Sequence, residues 1–106
     1  MGTVTTLTKE IFHEAVLNTD RLVVIDFWAT WCGPCQMLSP VVEEVSTLFD
    51  DVKFYKVNVD EQPELTMQFK IKNIPTLVFI KDSKTVDISI GYVGKDELEQ
   101  CIRRLK

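Results

Sequence analysis

The sequence predicts an α/β fold of three layers, with a mixed five-stranded sheet held between helices on both faces. Three observations predict it. Short runs rich in Val, Ile, Leu and Phe alternate with amphipathic segments in the order β-α-β-α-β-α-β-β-α. The first three strands are separated by helix-length crossovers, which makes them parallel. The last two are joined by a tight turn, which makes them antiparallel. The 106 residues fit one domain, spanning 1–106, with no repeat, linker or low-complexity segment. That length buries a core without disulfide staples.

Each element has its own signal. Thr3 to Leu7 is rich in Val and Thr and reads as a short strand. Thr8 is placed to cap a helix from Lys9 to about Leu17, with Ile11, Phe12, Ala15 and Val16 on its inner face and His13 off it. Leu22 to Trp28 is apolar on both faces, as a central strand is. Leu38, Val41, Val42, Val45, Leu48 and Phe49 repeat at three and four, marking a long helix with Pro40 inside it. Lys53 to Val59 is the next strand. Gln62-Pro63-Glu64 opens a short helix carrying Leu65, Met67 and Phe69. Leu77 to Ile80 is a buried strand. Val86, Ile88 and Ile90 then alternate with Asp87 and Ser89, as in a half-exposed edge strand. Gly94 opens a last helix, with Asp96 and Glu97 in its first turn and Arg103, Arg104 and Lys106 at its end. Leu98, Cys101, Ile102 and Leu105 form its inner face, so Cys101 reads as a small buried hydrophobe.

Composition excludes several functions. The net charge is −4 and no basic patch interleaves with aromatics, which argues against nucleic acid. No apolar run is long enough to span a bilayer, and no secretory h-region is visible. The first residues, Met1-Gly2-Thr3-Val4-Thr5-Thr6, fit an N-myristoylation pattern, but that match is short and the same residues suit a first strand. Three cysteines without a signal peptide point to a reducing compartment, the cytoplasm. There a close cysteine pair is redox-active or metal-binding. Structural zinc needs four ligands, and this chain offers one Cys-x-x-Cys, one further Cys and one His, so no metal site is expected. Haem attachment needs His after the second Cys, and position 36 is Gln.

The chemistry concentrates at Trp28-Ala29-Thr30-Trp31-Cys32-Gly33-Pro34-Cys35, where a strand runs into a helix. A helix starting near Gly33 puts Cys32 at its N-terminal end, among unpaired N–H groups and at the positive end of the dipole. That environment contributes roughly 0.3–2 kcal/mol to a nearby anion, so thiolate is favoured over thiol. Cys35 lies one turn further in, less exposed but within reach of the first sulfur. It suits a resolving thiol that attacks the mixed disulfide formed by Cys32. Pro34 is tolerated in the first turn, where its missing N–H costs nothing, and it stiffens the loop. Asp26 interrupts the apolar strand. It is either a solvated strand-end carboxylate or a buried proton acceptor near the sulfurs, and spacing does not separate the two. Lys56 in the next strand reads as a solvated cation.

These residues resemble the thioredoxin family over the whole chain. The Trp31-Cys32-Gly33-Pro34-Cys35 motif carries the likeness, supported by Asp26, Pro40, Lys56, Asp60, Ile74-Pro75-Thr76 and Gly91. The resemblance implies the thioredoxin fold with four helices, and a general protein-disulfide reductase working through a Cys32–Cys35 redox disulfide. It implies a cis Ile74–Pro75 bond against the cysteines. It also implies an apolar docking patch of Trp31, Gly33, Pro34, Ile74, Pro75, Thr76, Gly91 and Tyr92. Asp26 becomes an acid-base group for Cys35, with Lys56 nearby. No bound cofactor is implied. Electrons would come from NADPH through thioredoxin reductase, or from a ferredoxin-linked reductase. The partners are that reductase and disulfide-containing target proteins, met by a monomer. Gln36 departs from the Lys common in the family, Asp82-Ser83 from the usual Asn-Gly turn, and Asn73 and Tyr92 alter the patch. Two rival readings remain: a disulfide oxidase or isomerase, and a redox-silent module that holds partners on the same patch.

Overall fold

The sheet runs in the order β1-β3-β2-β4-β5. In the computed structural model, which describes residues 3–106, the strands are β1 (Val4–Thr6), β2 (Val23–Trp28), β3 (Lys53–Asn58), β4 (Thr76–Lys81) and β5 (Lys84–Ile90). Met1 and Gly2, on which the acylation match rests, lie outside the described residues. β1 and β2 each pair in parallel with β3, whereas β4 pairs antiparallel with both β2 and β5. The mixed sheet follows from the connections: helical crossovers early, a two-residue turn at Asp82-Ser83 late.

β2 is the central strand, and its alternation divides the core. Val23, Ile25 and Phe27 point to one face, where they meet Val16, Leu65 and Val78. Leu22 and Val24 join the other face, with Leu38, Val42 and Phe79. That second face is covered by α1 (Gly33–Ser46) and α3 (Lys95–Leu105). The first is covered by α2 (Pro63–Gln68) and a short helical segment, His13–Leu17. Fully buried side chains such as Phe27, Phe79 and Leu38 each contribute about 1.5–3 kcal/mol by leaving water.

Several expectations change. The first helix is a π-helical stub: the Asn18 N–H donates to the His13 carbonyl, five residues back. Lys9 to Ile11 form a turn in which the Ile11 N–H reaches the Thr8 carbonyl, and Ile11 is exposed. α1 ends at Ser46, which leaves Leu48 exposed although Phe49 stays buried. Met67 projects outward from α2. On β5 the alternation is inverted, since Val86, Ile88 and Ile90 are the exposed residues while Asp87 and Ser89 are half-buried. Cys101 is half-buried, less covered than Leu98 and Ile102 beside it. No helix among the described residues is long and apolar enough to cross a membrane.

Candidate functional site

β2 ends at Trp28, and the chain turns at once into α1. The Cys32 N–H donates to the Ala29 carbonyl at 3.3 Å, which closes that turn. Cys32 is the N-cap of α1 in an extended conformation, and its sulfur accepts the Cys35 N–H at 3.2 Å. An orphan donor of the helix therefore points at this sulfur, in the arrangement that favours thiolate. Gly33 and Pro34 occupy the first turn. Cys32 and Cys35 are joined by a disulfide, with Cα atoms 5.3 Å apart. Cys32 is 6 % exposed and Cys35 2 %, so both are buried and Cys35 is slightly the more covered. Cys32 is not an open thiol, because Trp28, Val59 and Ile74 pack around the pair.

Asp26 is 4 % exposed and so is not a solvated strand-end carboxylate. Its neighbour in the β2–β3 register is Lys56. Burial pushes the Asp26 carboxyl up to about 7, and the Lys56 ammonium pulls the other way. The Lys56 Nζ sits 6.0 Å from the centre of the Trp28 ring. Asp26, Trp28, Cys35, Gln36, Ser39 and Lys56 line one cavity of about 160 Å³. Two buried polar atoms of that lining, Asp26 Oδ1 and Trp28 Nε1, have no protein partner among the described residues. A carboxyl of that affinity beside Cys35 is able to take up and return a proton near neutral pH.

The rest of the site surrounds the disulfide. The Ile74–Pro75 bond is cis, as the family resemblance implies. The Thr76 hydroxyl donates to the Asn73 carbonyl at 2.6 Å, and the Gly91 N–H donates to the Pro75 carbonyl at 2.8 Å. Thr76 is therefore buried and braces the Pro75 loop, whereas Ile74 stays half-open. Gly91 has φ +92, which excludes a side chain without strain. Trp31 is 69 % exposed and Tyr92 is exposed beside Gly91. Among the described residues, no group of three or more His, Cys, Asp or Glu is arranged to hold a metal.

Sequence reasoning assigned no role to two polar contacts. The Trp31 Nε1–H donates to Asp60 Oδ2 at 2.8 Å, which anchors an otherwise exposed ring, and the Asp60 N–H is in turn held by Asn58 Oδ1. Gln36, standing where a cation is usual, instead donates to the Thr30 carbonyl at 3.4 Å. The first joins segments 29 residues apart that meet only in the fold, and the second is local, set by how α1 turns back on the loop before it.

The comparisons agree with one another. The thioredoxin family model matches residues 3–104. The chain is 40 % identical over 105 residues to thioredoxin 1 of Nostoc, covering 98 % of each chain. It is 48 % identical over 95 residues to a thioredoxin of Alicyclobacillus acidocaldarius, covering 89 % of this chain and 90 % of that one. Among solved structures, a thioredoxin of Malassezia sympodialis superposes with a TM-score of 0.89 at 39 % identity, covering 98 % of this chain and 91 % of that one.

Proposed function

The chain belongs to the thioredoxin family, and on that premise we propose how its residues divide the work of protein-disulfide reduction. The chain is a dithiol–disulfide oxidoreductase with Cys32–Cys35 as its redox pair. The Cys32 thiolate attacks one sulfur of a target disulfide, and the other target sulfur leaves as a thiolate. Cys35 then gives its proton to Asp26 and attacks the Cys32 sulfur of the mixed disulfide. The second target thiolate leaves and takes up a proton. The target gains two electrons and the Cys32–Cys35 disulfide forms. Trp31, Gly33, Pro34, Ile74, Pro75, Gly91 and Tyr92 supply the apolar surface on which an extended target segment lies. Thr76 holds the Pro75 loop, and Lys56 moderates the Asp26 carboxyl.

One observation carries this reading: a disulfide whose first sulfur accepts a helix N-terminal N–H, while its second borders a cavity with a buried carboxyl, one oxygen of which has no hydrogen-bond partner among the described residues. The dithiol is restored by NADPH through a flavoprotein thioredoxin reductase. The protein works as a monomer of one domain in the cytoplasm, with disulfide-containing proteins as targets. The test is insulin reduction with NADPH and purified thioredoxin reductase. Expected is NADPH consumption that depends on this protein and matches the thiols released. Insulin reduction that needs reduced ferredoxin and a ferredoxin-linked reductase, and fails with NADPH and thioredoxin reductase, reassigns the donor, and none with either removes the reductase reading.

A further inference from the structure

Ile88 and Ile90 are 51 % and 65 % exposed although they lie within a strand. The cause is coverage. They stand opposite Val78 and Thr76 on the sheet face that α2 and the π-helical segment cover only over the central strands. Beside them is a groove of about 150 Å³, lined by Phe69, Ile71, Ile88 and Ile90 and flanked by Lys70 and Lys72. Those two lysines are exposed and, like Lys81 and Lys84, make no ion pair among the described residues. The groove also reaches Asn73 and Thr76, which flank the Ile74–Pro75 bond, so it continues from the docking patch assigned above.

The edge itself is partly blocked to strand addition, because one of its outward N–H groups is already used. The Gly91 N–H bonds to the Pro75 carbonyl, so up to the register shift at Phe79/Ile80 Asp87 and Ser89 face β4, while Ile88 and Ile90 turn their N–H groups outward. The outward N–H of Ile88 is already taken by Asp87 Oδ1 at 2.8 Å. A strand added along the edge would have to displace that contact, whereas an occupant lying across the face is held by side chains and displaces nothing.

We propose that this groove is a second docking subsite, which takes an extended segment with alternating apolar and acidic side chains next to the disulfide of a target protein. The apolar side chains cover Ile88 and Ile90, and the acidic ones meet Lys70 and Lys72. This rests on the reductase reading and adds a target preference to it.

The test uses two synthetic peptides with the same cystine ring, one continued by Val-Glu-Val-Glu-Val and one by Gly-Ser repeats. Each oxidises the fully reduced protein in a stopped-flow fluorimeter, beside a small aromatic disulfide that has no tail. The acidic-apolar tail should raise the second-order rate constant by about five- to tenfold. Salt at 0.5 M should remove about half of that gain, since the charges are exposed. Ile88→Thr and Lys72→Glu should each lower the preference about threefold and leave the small disulfide unchanged. Equal rates for both peptides, or a preference indifferent to both variants, overturns the proposal. So does sedimentation showing a dimer that Ile88→Thr dissociates. If the unmodified protein oxidises with none of the three disulfides, the reductase reading falls and this proposal with it.

Discussion

The molecule contains two groupings of a cysteine, an aspartate and a cation, and they are built for opposite ends. Near the end of β2, Asp26 faces the cavity shared with Cys35 and Lys56, and one of its oxygens has no protein partner among the described residues. On the other side of β4, Asp87 meets Cys101 and Arg104. Its Oδ1 accepts the Ile88 N–H at 2.8 Å, and its Oδ2 accepts Arg104 at 3.2 Å and the Cys101 thiol at 3.8 Å. Burial pushes the Cys101 thiol up, with Arg104 opposing and Asp87 reinforcing. Cys101 also lies inside α3, where every nearby helical N–H has a partner, while Cys32 sits at the open N-terminus of α1. The same three residue types thus give a satisfied cluster in one place and an exchangeable proton in the other. The difference is a buried carboxyl with one oxygen left without a hydrogen-bond partner among the described residues, and a helix end aimed at a sulfur.

The comparison breaks most sharply at the sulfurs. Cys32→Ser should abolish insulin reduction, because Cys35 has no route to a target disulfide of its own. Residual turnover in that variant, read by NADPH consumption, would move the nucleophile to Cys35.

Asp26→Asn probes the other half of the contrast. Loss of the proton acceptor should slow target release by about 10²-fold and leave the first attack nearly unchanged, which rapid-quench kinetics separates. Stability should move the opposite way. The carboxyl ordinarily titrates at 3.8 and in the folded protein at about 7. Between those values the folded state holds a proton that the unfolded chain has lost. Stability contributed by the neutral acid therefore declines as pH rises through that window and is absent above it. Asp26→Asn should accordingly stabilise the fold by a few kcal/mol at pH 8 and by almost nothing at pH 3.5, measured by urea unfolding. A loss of stability at pH 8 would mean that the carboxylate is well paired.

Asp87→Ala is the control in the second grouping. It frees the exposed Arg104 and an N–H at an open strand edge, so it should cost about 0.5–1.5 kcal/mol and leave turnover alone. The smallest effect belongs to Cys101→Ser. Its half-buried thiol should be worth about 1 kcal/mol or less, with insulin reduction unchanged.

How much of this was legible depended on whether a residue's meaning lay within its own segment. The strands of the core, Val23–Trp28 above all, announced themselves by uninterrupted apolar runs, and the strand-to-helix placement of Cys32 and Cys35 followed. The Ile11–Val16 pattern named an inner face but not the hydrogen-bond period, and the widened His13–Asn18 turn replaced an α-helix. On β5 the alternation showed two faces without showing which one the helices would cover. α3 took the side of Asp87 and Ser89, and Ile88 and Ile90 were left in solvent. Asp26 was ambiguous for a related reason: its burial depends on α1 folding back over β2, which spacing alone leaves open. The Trp31–Asp60 bond, spanning 29 residues, was beyond reach.

The central claim is that Cys32 attacks and Cys35 releases, and adduct trapping tests it most directly. Cys35→Ser and Cys32→Ser are each mixed with the same disulfide-bonded target and run on a non-reducing gel. Cys35→Ser should accumulate a covalent adduct that collapses with reductant, while Cys32→Ser should accumulate none. An adduct on Cys32→Ser and none on Cys35→Ser would contradict the account.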